Sequence, residues 1–242
     1  MGDGTASEME GEDHRLDSQH GPPLRINAMI DGVYAIIMTI LVLDLKLPEG
    51  LSPRDTTAVF YALEPRFFAF TLSFGVAASS WAYSHTISPL FQRTNLTHVA
   101  INLVALMFAA LIPFCASVLG SLPNSALGPE IYALIVTAQM VLYMLDLVVC
   151  QKALIPKAVP RRLIYLIVGL GLFAGFWMGF IGVVVAPRHP TLALRLIVIH
   201  FVAYWALLYA FARPIHEAAH KVDKLRRRPR VIERRQMTKH PQ

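Results

Sequence analysis

Residues 163–187 read LIYLIVGLGLFAGFWMGFIGVVVAP and contain no charged side chain. Crossing a bilayer core of about 30 Å takes about 20 mostly apolar residues in a helix, and this stretch supplies them. Similar runs lie on either side of it. Phe67 to Gln92 and Leu96 to Pro123 are uncharged apart from the titratable His85 and His98, and Leu196 to Ala212 has only His200. Ile131 to Val149 is interrupted late by Asp146, and Ile26 to Leu47 is the least apolar, broken by Asp31, Asp44 and Lys46. Helix breakers fall between the runs: Pro48 and Pro53, Pro65, Pro123 with Gly128 and Pro129, Pro156 and Pro160, and Pro187 and Pro190. The chain therefore reads as an all-α membrane protein with six transmembrane helices.

Composition agrees. Hydrophobic residues make up 55% of the chain and charged residues 16%, against about 25% charged in a soluble domain. Six of the 16 acids sit in the first 17 residues. Residues 1–22 read as an acidic, disordered tail, 23–213 as the membrane domain, and 214–242 as a basic cytoplasmic tail. The two cysteines, Cys115 and Cys150, lie in apolar runs with no disulfide or CxxC metal pattern.

The orientation follows from the basic residues. With both termini on one side, that side carries 17 of the 22 Lys and Arg. The positive-inside rule then places both ends in the cytoplasm of a multi-pass protein in the cell membrane. The same rule accounts for the pI near 9.5 without a nucleic-acid partner.

The first span holds the chemistry. An acid inside a span costs about 2.5–3.5 kcal/mol on insertion scales and marks a structural or functional position. At 100° per residue, Ile36, Ile40 and Leu43 form one stripe; Asp31 lies about 140° from Ile36 and faces neighbouring helices, while Thr39 sits about 60° off, at the stripe's margin. Residues 25–48, RINAMIDGVYAIIMTILVLDLKLP, resemble the first helix of the endosomal/lysosomal potassium channel family (transmembrane protein 175 family) and its bacterial six-helix members. The family signature is Arg, three residues, then Phe-Ser-Asp. Arg25 and Asp31 match it, and Met29 and Ile30 replace Phe and Ser. Trp81 and His85 on the second helix, and Asn102 with Pro113 and Phe114 on the third, continue the likeness over about residues 25–115.

The resemblance implies a potassium-permeable cation channel, a homotetramer in which helix 1 of each subunit lines a central pore. Its constriction would be a ring of large apolar side chains at Ile36, then Ile40 and Leu43, with Thr39 as a hydroxyl contact for a dehydrating ion. A polar network of Arg25, Asp31, Trp81, His85 and Asn102 would tie helix 1 to helices 2 and 3. The expected partners are the lipid bilayer, permeant potassium ions and further copies of the chain; no cofactor and no enzymatic activity are implied. A TVGYG filter is absent from the sequence, so discrimination would rest on the cost of dehydrating an ion at an apolar, hydrophobic gate.

Other signals have competing readings. His216, Glu217 and His220 match the HExxH pattern of zinc metallopeptidases. They follow Pro214, lie outside the bilayer and run into a basic tail with no third ligand in view, which favours a solvated helix end. A proton or cation carrier using Asp31 and His85 is a further alternative, but carriers usually show broken helices or paired internal repeats. Asp146 reads as the partner of a basic loop residue such as Lys152. Gly171, Gly175 and Gly179 read as a close helix-packing stripe, either within a subunit or between subunits, and Pro113 as a kink.

Overall fold

The computed structural model describes residues 24–46, 56–122 and 124–237; the acidic start and the last five residues lie outside them. Among the described residues every regular element is helical. Helix α1 is Leu24–Ile40, continued by a 3-10 turn, Leu41–Asp44. Helix α2 is Thr56–Ile87, α3 is Leu96–Ser121 and α4 is Leu127–Leu154. Helix α5 is Arg161–Val185 and α6 is Pro190–Met237. Five of the six are both long and apolar enough to cross a membrane. The other, α2, has the length at 32 residues, but Ser73, Ser79, Ser80, Ser84 and His85 dilute its apolar character.

Prolines end these helices less often than the sequence suggests. Helix α2 begins before Pro65, which lies inside it. Pro129 lies in the first turn of α4, where its missing N–H would have had no helical partner. Helix α6 runs unbroken through Pro214, and beyond it Ile215, Ala218 and Val222 are buried against the end of the bundle. Pro113 does disrupt its helix. It divides α3 into Leu96–Ala109 and Ile112–Ser121, because a proline cannot donate to the carbonyl four residues back and its ring crowds that carbonyl.

One core cluster joins the buried stripe of α1 to Leu72 and Val76 of α2, Leu106 of α3, Tyr132 of α4, Ile181 of α5 and Ile197 of α6. A second closes the other end, from Tyr83 and Ile87 through Leu147 and Leu154 to Ile215 and Val222. Each of the later helices therefore contributes to holding α1 or to holding the elements that hold it.

The glycine stripe of α5 packs within the chain, against α4. Gly175 and Gly179 face Met140 and Thr137, and a Cβ on Gly171 would collide with the Met144 sulfur. The Thr137 hydroxyl donates to the Gly175 carbonyl at 3.3 Å. The tightest rigid approach is Gly182, where an added Cβ would stand 2.6 Å from the Ala133 Cβ. Gly182→Val therefore forces the two helices apart and should destabilise the fold by about 1–3 kcal/mol. Thermal unfolding in detergent reads this as a lowered midpoint; an unchanged midpoint would show that the helices part without cost.

Candidate pore helix and its polar anchors

Helix α1 has two faces of different character. Ile26, Ile30, Tyr34, Ile37 and Leu41 recur at intervals of three and four residues, and all are buried. On the opposite face Ile36, Ile40 and Leu43 are 58%, 43% and 64% exposed, and Gly32, Ala35 and Thr39 between them are exposed too. The Thr39 hydroxyl donates to the Ile36 carbonyl at 2.9 Å. Its proton is thus committed to the backbone, and the oxygen is left as an outward acceptor.

Four sets of polar contacts lie on or near this helix. At one end, the Trp81 indole N–H donates to Asp31 Oδ1 at 2.8 Å, joining α1 to α2. The Trp81 and His85 rings stack, with centroids 5.1 Å apart. Asp31 and His85 line a cavity of about 240 Å³ with Asn27, Ser84 and Ser88. Arg25 is exposed at the same end of α1, and no contact among the described residues joins it to Asp31.

The second set lies at mid-helix. The hydroxyls of Tyr34 and Tyr143 are hydrogen-bonded to each other. Gln139 Nε2 donates to both, at 2.6 and 3.2 Å, and the Ser80 hydroxyl donates to Gln139 Oε1 at 3.3 Å. This hub fixes α1 to α4 and α4 to α2. Nothing in the sequence reading found it, although the signal was present: Tyr34 falls on the buried stripe of α1, and Gln139 is an uncharged polar residue in the middle of a mostly apolar span.

Asn102 belongs to a third set, away from Asp31. Its Nδ2 donates to Asp146 Oδ2 at 3.2 Å and to the His98 carbonyl at 2.9 Å. His98 Nδ1 is 2.8 Å from Asp146 Oδ1. Asp146 thus pairs with His98 on α3 and not with Lys152, which lies six residues on, about 240° round the helix, and is exposed. Asn102 accordingly joins α3 to α4.

At the far end of α1, Arg66 donates to the Lys46 carbonyl at 3.0 Å. Asp44, Lys46, Arg66, Ser117 and Ser121 line a polar cavity of about 140 Å³ there. The exposed apolar face of α1 therefore runs between these two cavities. His216, Glu217 and His220 are exposed on α6. Among the described residues, the metal-ligating side chains that converge in a group of three are His98, Asp146 and Cys150.

Residues 25–113, which carry α1, α2 and the Pro113 break, match the family described as endosomal/lysosomal potassium channel TMEM175. The structure aligns with that of a lysosomal potassium-selective channel TMEM175 homologue from Chamaesiphon minutus, with a TM-score of 0.67 and 22% identity over 75% of this chain and 95% of that one. The chain shares the fold of that channel homologue. A protein named potassium channel from Streptomyces collinus is 29% identical over 118 residues, 47% of this chain and 57% of its own length. A second protein of that name, from a Chryseobacterium strain, is 35% identical over 97 residues, 40% of this chain and 48% of its own length. The chain thus spans about half the length of these curated relatives.

Proposed function

We propose that the chain is a potassium-permeable channel in which the free face of α1, from several copies of the chain, encloses a central pore. The observation that carries the reading is the division of α1 into a packed face and a face with no partner among the described residues. Lipid would be a poor partner for that second face. It is flanked by Asp31 and by Asp44 and Lys46, and a charge exposed to hydrocarbon costs about 2.5–3.5 kcal/mol. An aqueous path between two polar mouths accommodates all of these groups.

In that pore Ile36, Ile40 and Leu43 form successive apolar rings, with the Thr39 oxygens between them. Rings of this kind exclude water when narrow and conduct when widened. An ion that passes sheds part of its hydration shell, which costs less for potassium than for the smaller sodium ion. The assembly is a homotetramer in the cell membrane with both termini cytoplasmic, and Arg25, Asp31, Trp81 and His85 set the tilt of α1 at the cytoplasmic mouth. The chain carries out no catalysis and needs no cofactor for conduction.

The test is a reversal potential in liposomes or planar bilayers holding purified protein, with potassium on one side and sodium on the other. A potassium-biased reversal is expected; no current above that of empty membranes would sink the reading. Trp81→Phe keeps the stack on His85 but removes the donor to Asp31. It should change open probability and leave the reversal potential in place. A shifted reversal potential would instead place Trp81 in the ion path.

A further inference from the structure

We propose that His98, Asp146 and Cys150 form a binding site for a borderline-soft divalent transition metal such as zinc, buried in each subunit between α3 and α4. The inference does not depend on the channel reading.

The ligand atoms are in place. His98 Nδ1, an Asp146 carboxylate oxygen and Cys150 Sγ all lie within 4.8 Å of one another. In tetrahedral zinc sites the metal–ligand distances are about 2.0–2.3 Å, so ligand atoms stand about 3.3–3.8 Å apart. The Cys150 sulfur is within easy reach of that. The His98–Asp146 contact, at 2.8 Å, has to open by about half an ångström, which small side-chain rotations supply. Helix geometry presents the set: Asp146 and Cys150 are four residues apart on one face of α4, opposite His98 and Asn102, which are four apart on α3. Facing helices with paired ligands are the usual way bundles hold metals.

The surroundings fit a metal with three protein ligands and one water. Asn102 Nδ2 holds Asp146 Oδ2 at 3.2 Å, which orients the carboxylate and leaves Oδ1 directed at the site, as outer partners of metal ligands do. A void of about 30 Å³ lies alongside; its lining is mostly apolar but includes His98, Asn102, Asp146, Asn27, Ser84 and Ser88. It can hold the fourth ligand as a water, which needs about 10–15 Å³. Asn27, Ser84 and Ser88 also line the larger cavity beside Asp31, so the two voids are neighbours.

Charge also favours a bound cation. Asp146 is buried with His98 and Asn102 on its two oxygens, and a cation would compensate its charge directly. A divalent ion with an Asp carboxylate, a Cys thiolate and a neutral imidazole is a neutral unit. Binding forms the metal–sulfur, metal–nitrogen and metal–oxygen bonds and releases the thiol proton through the void to water.

The experiment uses the full chain in detergent or nanodiscs. Cobalt(II) titration should give a thiolate-to-metal charge-transfer band that saturates at one cobalt per chain and is removed by zinc. Cys150→Ser should abolish the band and weaken zinc binding at least tenfold. Cys115→Ser, at the other buried cysteine, should leave both unchanged. Zinc should also slow alkylation of Cys150 in the unaltered chain without protecting Cys115, a reading that needs no variant to fold. No thiolate band in the unaltered chain, a band that survives Cys150→Ser, or zinc binding lost with His216→Ala/His220→Ala instead would each overturn the site.

Discussion

Ile36→Asn is expected to raise single-channel conductance several-fold and to bring the potassium–sodium reversal potential towards zero. Ile36 is 58% exposed on the face of α1 that nothing among the described residues covers, one turn from Ile40 and two from Leu43. In a pore of several copies, an isoleucine ring gives an ion nothing in exchange for its lost water. An amide ring offers carbonyl oxygens at the same place. Each 1.4 kcal/mol removed from the barrier is about a tenfold gain in rate, so even a partial replacement of hydration is measurable. Smaller ions, which hold water more tightly, gain more from the amide, and selectivity falls. Phe176→Asn on α5 is the control. That side chain is 71% exposed on the uncharged span α5, and its replacement should lower the amount of inserted protein without altering current per channel. If Ile36→Asn behaves as Phe176→Asn does, α1 does not line the path.

The elements were legible because hydrocarbon imposes a simple rule: every backbone polar group must be satisfied within the helix, so each span is a long apolar run. The Pro113 break was legible for a similar reason, since the missing donor is a property of the residue itself. Helix ends were harder. Pro65 and Pro214 lie inside continuous helices, because tertiary burial of neighbours such as Ile215 and Ala218 offsets one lost hydrogen bond. The free stripe of Ile36, Ile40 and Leu43 could be drawn from helical periodicity, whereas its partner had to be left to assembly.

Pairwise contacts between helices were the least legible. Asp146 is equally compatible in sequence with Lys152 or His98, and only the packing of α3 on α4 decides between them. Asn102 resembled a partner of α1 because it travels with Trp81 and His85 in the same family stretch. In the fold it turns to α4, and α1 is held instead by Tyr34, whose hydroxyl has its partners more than a hundred residues away.

Tyr34 accordingly offers the sharpest separation of packing from hydrogen bonding. Its side chain is fully buried, and its hydroxyl contacts both Tyr143 and Gln139. Tyr34→Ala removes the ring and the hydroxyl together and should cost about 3–5 kcal/mol, as truncation of a buried aromatic does. Thermal unfolding should show a large fall in midpoint, and surviving protein should carry no ion flux because α1 has lost its seat. Tyr34→Phe keeps the ring in the core and leaves Gln139 and Tyr143 each with one partner fewer. The cost of such underused buried groups is about 1–3 kcal/mol. The fold should survive, with flux altered through the position of α1 and not through ion preference. Should Tyr34→Phe prove as damaging as Tyr34→Ala, the hydroxyl hub, and not the apolar stripe, would be what sets α1 in place.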